Sequence, residues 1–132
     1  MILLAFLAPS RLLAEDFTTV RPLGMGGAHR AVVSSNDAIY LNPAGMSLFQ
    51  RYCFEAHYLF SPELYQDAPD PEHVINVSVV DNQIAAFATG LAYTRIERGD
   101  DKHGNRYDLA FSVPLTSNFM IGTNIKYLDF AR

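Results

Sequence analysis

Residues 51–60 read RYCFEAHYLF, and every second side chain is apolar or aromatic. Successive side chains of an extended chain point to opposite faces. Tyr52, Phe54, Ala56, Tyr58 and Phe60 therefore share one side, and Cys53, Glu55, His57 and Leu59 the other. This spacing predicts a strand with one face in apolar surroundings. Four later segments obey the same rule. Residues 73–80 set Ile75, Val77 and Val79 against Asn76 and Ser78, and residues 84–95 set Ala85, Phe87, Thr89, Leu91 and Tyr93 against Ala86, Ala88, Gly90, Ala92 and Thr94. Residues 106–113 set Tyr107, Leu109, Phe111 and Val113 against Asp108, Ala110 and Ser112. Residues 119–128 set Phe119, Ile121, Thr123, Ile125 and Tyr127 against Met120, Gly122, Asn124 and Lys126. The expected fold is all-β with a short helical plug: an antiparallel up-and-down meander of about five strands.

A secreted β-sandwich alternates as well. Three features favour a partial transmembrane β-barrel. The segments approach the roughly 9–11 residues that cross a tilted bilayer. The connections alternate in length: long (61–72), short (81–83), long (96–105), short (114–118), as brief periplasmic turns and longer outer loops do. The less apolar face is small and mostly uncharged, which suits a lumen packed on a plug better than a face in bulk water. With the first strand rising from the periplasm, Tyr52 and Phe119 fall near the inner rim. Phe60, Tyr93, Tyr107 and Tyr127 fall near the outer one, where amphipathic rings are favoured. Glu55, His57, Asp108, Asn124 and Lys126 are the expected lumen-facing polar residues, and Glu55, Asp108 and Lys126 are placed to form one network.

Ahead of the strands, residues 21–45 read RPLGMGGAHRAVVSSNDAIYLNPAG. Gly24, Gly26 and Gly27 predict a tight, close-packed turn. Ser34 or Ser35 is placed to cap a short helix through Asp37–Leu41. Asn42 tolerates a left-handed end, Pro43 stops the helix, and Gly45 gives a second permissive point. The product is a compact, kinked element without long regular structure.

GMGGA, then a short Asp-Ala-Ile-Tyr helix, then Asn-Pro-Ala-Gly, resembles the amino-terminal hatch of the FadL-type outer-membrane transport superfamily. It is equally similar to the related PorV-type barrels of secretion systems. The resemblance covers residues 21–60 by motif. It implies a signal peptide, a plug, and a barrel of about fourteen strands in the FadL case. It marks Gly24, Gly26, Gly27, Asn42, Pro43, Ala44 and Gly45 as plug residues. In FadL-type transporters the hatch shifts to open a route for hydrophobic ligands. The implied partners are outer-membrane lipid and a hydrophobic ligand such as a fatty acid, or, for a PorV-like scaffold, a secretion or surface-protein partner. The implied location is the outer membrane of a Gram-negative bacterium.

Composition narrows the remaining classes. A formal net charge of −4 over 132 residues, without a Lys/Arg cluster, offers nothing to nucleic acid. The single cysteine, Cys53, allows no internal disulfide. His29, His57, His73 and His103 lack metal-ligand spacing, and the loop 99–105 lacks the alternating oxygen ligands of a calcium site. GMGGAH is followed by no GK[ST] and lacks a dinucleotide fingerprint. No nucleophile sits beside a base, so neither an enzyme nor a cofactor or metal site is expected. Residues 1–14 (MILLAFLAPSRLLA) are expected to be a signal peptide incomplete at its start, 15–50 the plug, and 51–132 the first five strands of a barrel continuing beyond Arg132.

Overall fold

The computed structural model describes residues 19–26, 28, 33, 35–62, 72–83, 86–99 and 102–130. The expected signal segment 1–14 and Gly27 lie outside them. Five strands form one antiparallel sheet in sequence order: β1 (Tyr52–Ser61), β2 (Glu72–Asp81), β3 (Ala88–Arg98), β4 (Lys102–Thr116) and β5 (Phe119–Phe130). β1 and β5 do not pair with each other, so the sheet is open. Two short helices, α1 (Val20–Gly24) and α2 (Ala38–Leu41), and a 3-10 helix (Pro43–Leu48) precede it. Among the described residues no helix is long and apolar enough to cross a membrane.

The alternation expected from sequence is the one observed. Tyr52, Phe54, Tyr58, Phe60, Leu91, Ile121, Ile125 and Tyr127 are all exposed, Phe54 at 62% and Ile125 at 61%. The opposite face carries Val80, Ala88, Ala92, Ala110 and Ser112, all buried. The core is therefore single-sided: Val33, Ala38, Ile39, Tyr40 and Met46 of the plug pack onto Val80, Ala88, Ala92 and Ala110 of the sheet. Small wall residues let the plug backbone come close, and the plug supplies the bulk.

Register aligns these side chains into rows. Glu55, Ser78, Ala92, Asp108 and Lys126 are successive cross-strand partners, as are His57, Asn76, Thr94, Arg106 and Leu128. On the outward face Phe54, Val79, Leu91, Leu109 and Ile125 form one row, and Ala56, Val77, Tyr93, Tyr107 and Tyr127 the next.

The connections depart from expectation. β3 runs on to Arg98 and β4 starts at Lys102, so the long loop expected over 96–105 shrinks to 99–101. Arg95, Ile96, Glu97 and Arg98 pair with Asn105, Gly104, His103 and Lys102. A polar, glycine-containing composition reads as loop, yet backbone pairing on both sides of β3 holds it extended. Ile84 and Ala85, at the start of the expected third strand, lie outside the described residues, and β3 is seen from Ala88. The alternation of long and short connections is thus not kept. β4 also continues through Pro114 to Thr116, with a register shift between Pro114 and Thr116, leaving Ser117 and Asn118 as the turn. A bulge accommodates the missing proline N–H without ending the strand.

Candidate functional site

The seat of the plug on the sheet is built from glycine contacts and side-chain amides. A Cβ on Gly122 would lie 2.2 Å from the Ala44 nitrogen and 2.4 Å from the Pro43 carbonyl carbon, so the Pro43–Ala44 peptide rests directly on β5. A Cβ on Gly90 would meet Ile39 Cγ1 at 2.7 Å and Met46 Sδ at 2.8 Å. A Cβ on Gly45 would sit 2.0 Å from the Val33 carbonyl oxygen. The Asn-Pro-Ala-Gly stretch is thus clamped on both sides. Gly45 is required for space rather than for an unusual backbone angle.

Hydrogen bonds tie the same segment to the wall. Asn82 Nδ2 donates to the carbonyls of Met46 and Phe49, each at 2.9 Å. Ser112 Oγ donates to the Ala44 carbonyl at 3.2 Å, leaving Ser47 to donate to Ser112 Oγ at 2.6 Å. Asn124 Nδ2 reaches the Ile39 carbonyl and, at 3.2 Å, Asp108 Oδ1. Asn76 Nδ2 donates to the Tyr40 hydroxyl at 2.7 Å and to Thr94 Oγ1 at 2.8 Å. From the plug, Asn36 Nδ2 donates to the Ser78 carbonyl and Oγ, each at 3.1 Å. Short helices leave carbonyls unpaired at their ends, and here the wall amides supply the donors.

Behind α2 lies a buried ion pair. Arg106 donates to both carboxylate oxygens of Asp108 at 2.7 and 3.0 Å, and its guanidinium carbon stands 5.3 Å from the Tyr40 ring centroid. Burial pushes the Tyr40 phenol up to about 12, with the donated bond from Asn76 opposing and the Asp108 charge adding to the shift.

Those residues singled out from sequence that are described each have a definite place. Gly26 adopts φ +60 and serves as a permissive turn residue. Gly24 closes α1, and a methyl group added there would meet no atom of the described residues within 4 Å. Asn42 is extended (φ −160, ψ 87) rather than left-handed; its N–H closes α2 onto the Ala38 carbonyl and its own carbonyl accepts from Gly45. Pro43 does more than stop α2, because it opens the 3-10 helix at a position where its missing N–H costs nothing. Asp37, not a serine, precedes α2. Its side chain makes no cap bond and instead accepts from Ser35 and from Thr19. Ser34 lies outside the described residues.

Glu55, His57, Asp108, Asn124 and Lys126 all share the plug face, and among the described residues the first four fall in two groups. Glu55 pairs with His57 at 3.2 Å on β1, and Asp108 groups with Arg106 and Asn124 on β4 and β5. Lys126 is the register partner of Asp108, with its side chain exposed. Sequence reading missed Asn36, Asn82, Arg106 and Ser112 as plug contacts. Gly90 and Gly122, isolated glycines inside strand patterns, carried a usable signal of close backbone approach.

The outward face holds a second feature, a shallow open trough of about 810 Å³ lined by Phe54, Leu91, Tyr93, Tyr107, Ile125 and Tyr127 among others. The tyrosines stand side by side, with ring centroids 5.2 and 6.0 Å apart. Past them on the same face come Arg95, Asn105 and Asp129. Among the described residues, no group of three or more His, Cys, Asp or Glu side chains converges on a metal-sized site. Compared with protein families, with curated proteins and with solved structures, the chain finds no match.

Proposed function

We propose that this chain supplies the plug and five wall strands of a Gram-negative outer-membrane β-barrel that carries hydrophobic small molecules across that membrane. One observation supports this above all: the apolar stripe is exposed while the alanine- and glycine-rich face is the packed one. Aromatic side chains of about 150–250 Å² each, left roughly half exposed, present on the order of 1,000 Å² of apolar surface. The largest apolar patch on a typical soluble monomer is about 300–600 Å². Covering that stripe with hydrocarbon is worth on the order of 25 kcal/mol.

The dimensions agree with a bilayer. Phe119 to Tyr127 is about 27 Å along the strand, or roughly 20 Å along the membrane normal at a tilt near 40°, close to the apolar band of about 25 Å in such barrels. The tyrosine row then falls at an interface, with Arg95, Asn105 and Asp129 beyond it in the headgroup zone. Spanning barrels have at least about eight strands, so the wall includes strands besides these five. A non-transporting, secretion-associated scaffold is the second reading. It is favoured by the number of bonds that tie the plug to the wall.

Fractionation of the native gene product in its own host tests the membrane assignment. The expected result is recovery with the outer membrane and release by detergent alone; release by salt or urea refutes it. Loss of fluorescent fatty-acid uptake on gene deletion supports transport. Unchanged uptake together with a co-purifying surface protein supports the scaffold.

A further inference from the structure

We infer that residues 35–48 and strands β2–β5 form one rigid unit that stays shut throughout the protein's working cycle, so that any solute route lies outside this seat. The inference rests on the wall-and-plug reading but not on transport. Three observations carry it.

First, the contact between plug and wall is backbone on backbone at Gly122. It leaves no side chain whose rotation would open a gap there. Gates that open do so through hinges or side chains with two available arrangements, and a peptide lying flat on a glycine has neither.

Second, the bonds are spread along the whole segment. Asn36 reaches β2, Asn76 reaches Tyr40, Asn124 reaches Ile39, Ser112 reaches Ala44, and Asn82 reaches Met46 and Phe49. Lifting the plug from either end strips donors from buried carbonyls before any new partner is reached. Such groups cannot be left unpaired cheaply. The bonds therefore break together or not at all.

Third, the plug side chains Ala38, Ile39, Tyr40 and Met46 are buried against wall residues too small to follow them if they move. Displacement leaves a void that Ala88, Ala92 and Ala110 cannot fill.

Arg21, Gly24, Met25, Gly26 and Ala28 are exposed, whereas Thr19 and Pro22 are buried and Thr19 donates to Asp37 of the unit.

The test uses the native gene product in its membrane, in a Cys53→Ser background. Ser47 and Ser112, whose Oγ atoms stand 2.6 Å apart, are both changed to cysteine. The disulfide is expected to form nearly to completion, with fluorescent fatty-acid uptake in oxidised and reduced states agreeing within about twofold. In the unmodified protein, amides of residues 38–48 are expected to exchange within roughly tenfold of those in β3 and β4, with and without the probe. A pair that stays reduced overturns the inference. So does uptake that falls roughly tenfold on oxidation and returns with reductant, or plug amides exchanging about 100-fold faster than the strands. If neither state takes up the probe, the transport reading fails, and the exchange comparison still decides whether the seat is rigid.

Discussion

Replacing Gly122 with alanine puts a methyl group into the Pro43–Ala44 peptide. The added carbon would lie 2.2 Å from the Ala44 nitrogen, 2.4 Å from the Pro43 carbonyl carbon and 2.8 Å from the Ala44 Cα. All three are backbone atoms, so no rotamer change relieves the clash. Restoring ordinary contact requires the plug to retreat by about 1.2 Å. That movement takes the Ser112 bond to the Ala44 carbonyl, already 3.2 Å long, out of range, and it stretches the bond from Asn124 to Ile39. Overpacking of this kind costs about 1–3 kcal/mol and each lost bond about 0.5–1.5 kcal/mol, which gives a destabilisation of roughly 2–5 kcal/mol. The assay is the urea midpoint of the purified native gene product in lipid vesicles, followed by circular dichroism. Trypsin cleavage after Arg51 reports plug release in parallel. Gly24→Ala is the matched control, because no atom of the described residues lies within 4 Å of the new methyl group and its φ is ordinary. It is expected to stay within about 0.5 kcal/mol of the parent. A Gly122→Ala protein as stable as the Gly24→Ala control would refute the backbone-on-backbone seat.

Three further outcomes follow from the same contacts. Asn82→Ala strips the buried Met46 carbonyl and the part-buried Phe49 carbonyl of their donor and is expected to cost about 1–3 kcal/mol, read as a lower urea midpoint and faster cleavage after Arg51. Arg106→Met leaves the fully buried Asp108 carboxylate without its ion-pair partner and is expected to cost about 3–5 kcal/mol. Adding Asp108→Asn should recover much of the loss. Tyr40 gives a pH signature. Its phenol titrates near 12 in the fold and near its ordinary 10.0 when unfolded, so the unfolded chain releases its proton first. The contribution is present in full below pH 10 and disappears as pH rises toward 12. The expected loss of roughly 2–3 kcal/mol across that window should be absent in Tyr40→Phe.

Much of the fold was legible because period two is a local property. Phe54, Leu91, Phe111 and Ile125 announce their face within their own strands, and the small opposite face of Ala88, Gly90, Ala92 and Ala110 announces that something bulky covers it. Strand ends were less legible. Residues 96–105 carry charge and glycine, as loops do, and it is strand pairing, of Glu97 with His73 on one side and with His103 on the other, that keeps this stretch extended. Pro114 looks like a stop, but a bulge absorbs it.

The plug shows the same division. Its position, its short helix and the break at Pro43 follow from local residue chemistry. The left-handed end assigned to Asn42 does not occur, because Pro43 restarts a 3-10 helix and Asn42 bridges the two while extended. Which wall residue grips which plug carbonyl is set by pairs 36 to 85 residues apart, Asn82 with Met46 and Asn124 with Ile39. No periodicity reports such pairs.

If the sheet is a membrane wall, the outward stripe of β4 touches lipid hydrocarbon. Single cysteines placed in turn at positions 107–113 of the native gene product, in the Cys53→Ser background, can be spin-labelled and the protein reconstituted in lipid vesicles. Collision rates with oxygen, which concentrates in hydrocarbon, and with a water-soluble nickel complex measure that contact directly. Lipid contact predicts high oxygen and low nickel collision at Tyr107, Leu109, Phe111 and Val113, with Asp108, Ala110 and Ser112 shielded from both. High nickel collision at the odd-numbered positions would show the stripe lying in water, and low collision with both reagents would show it packed against another protein surface; either result would contradict the membrane assignment.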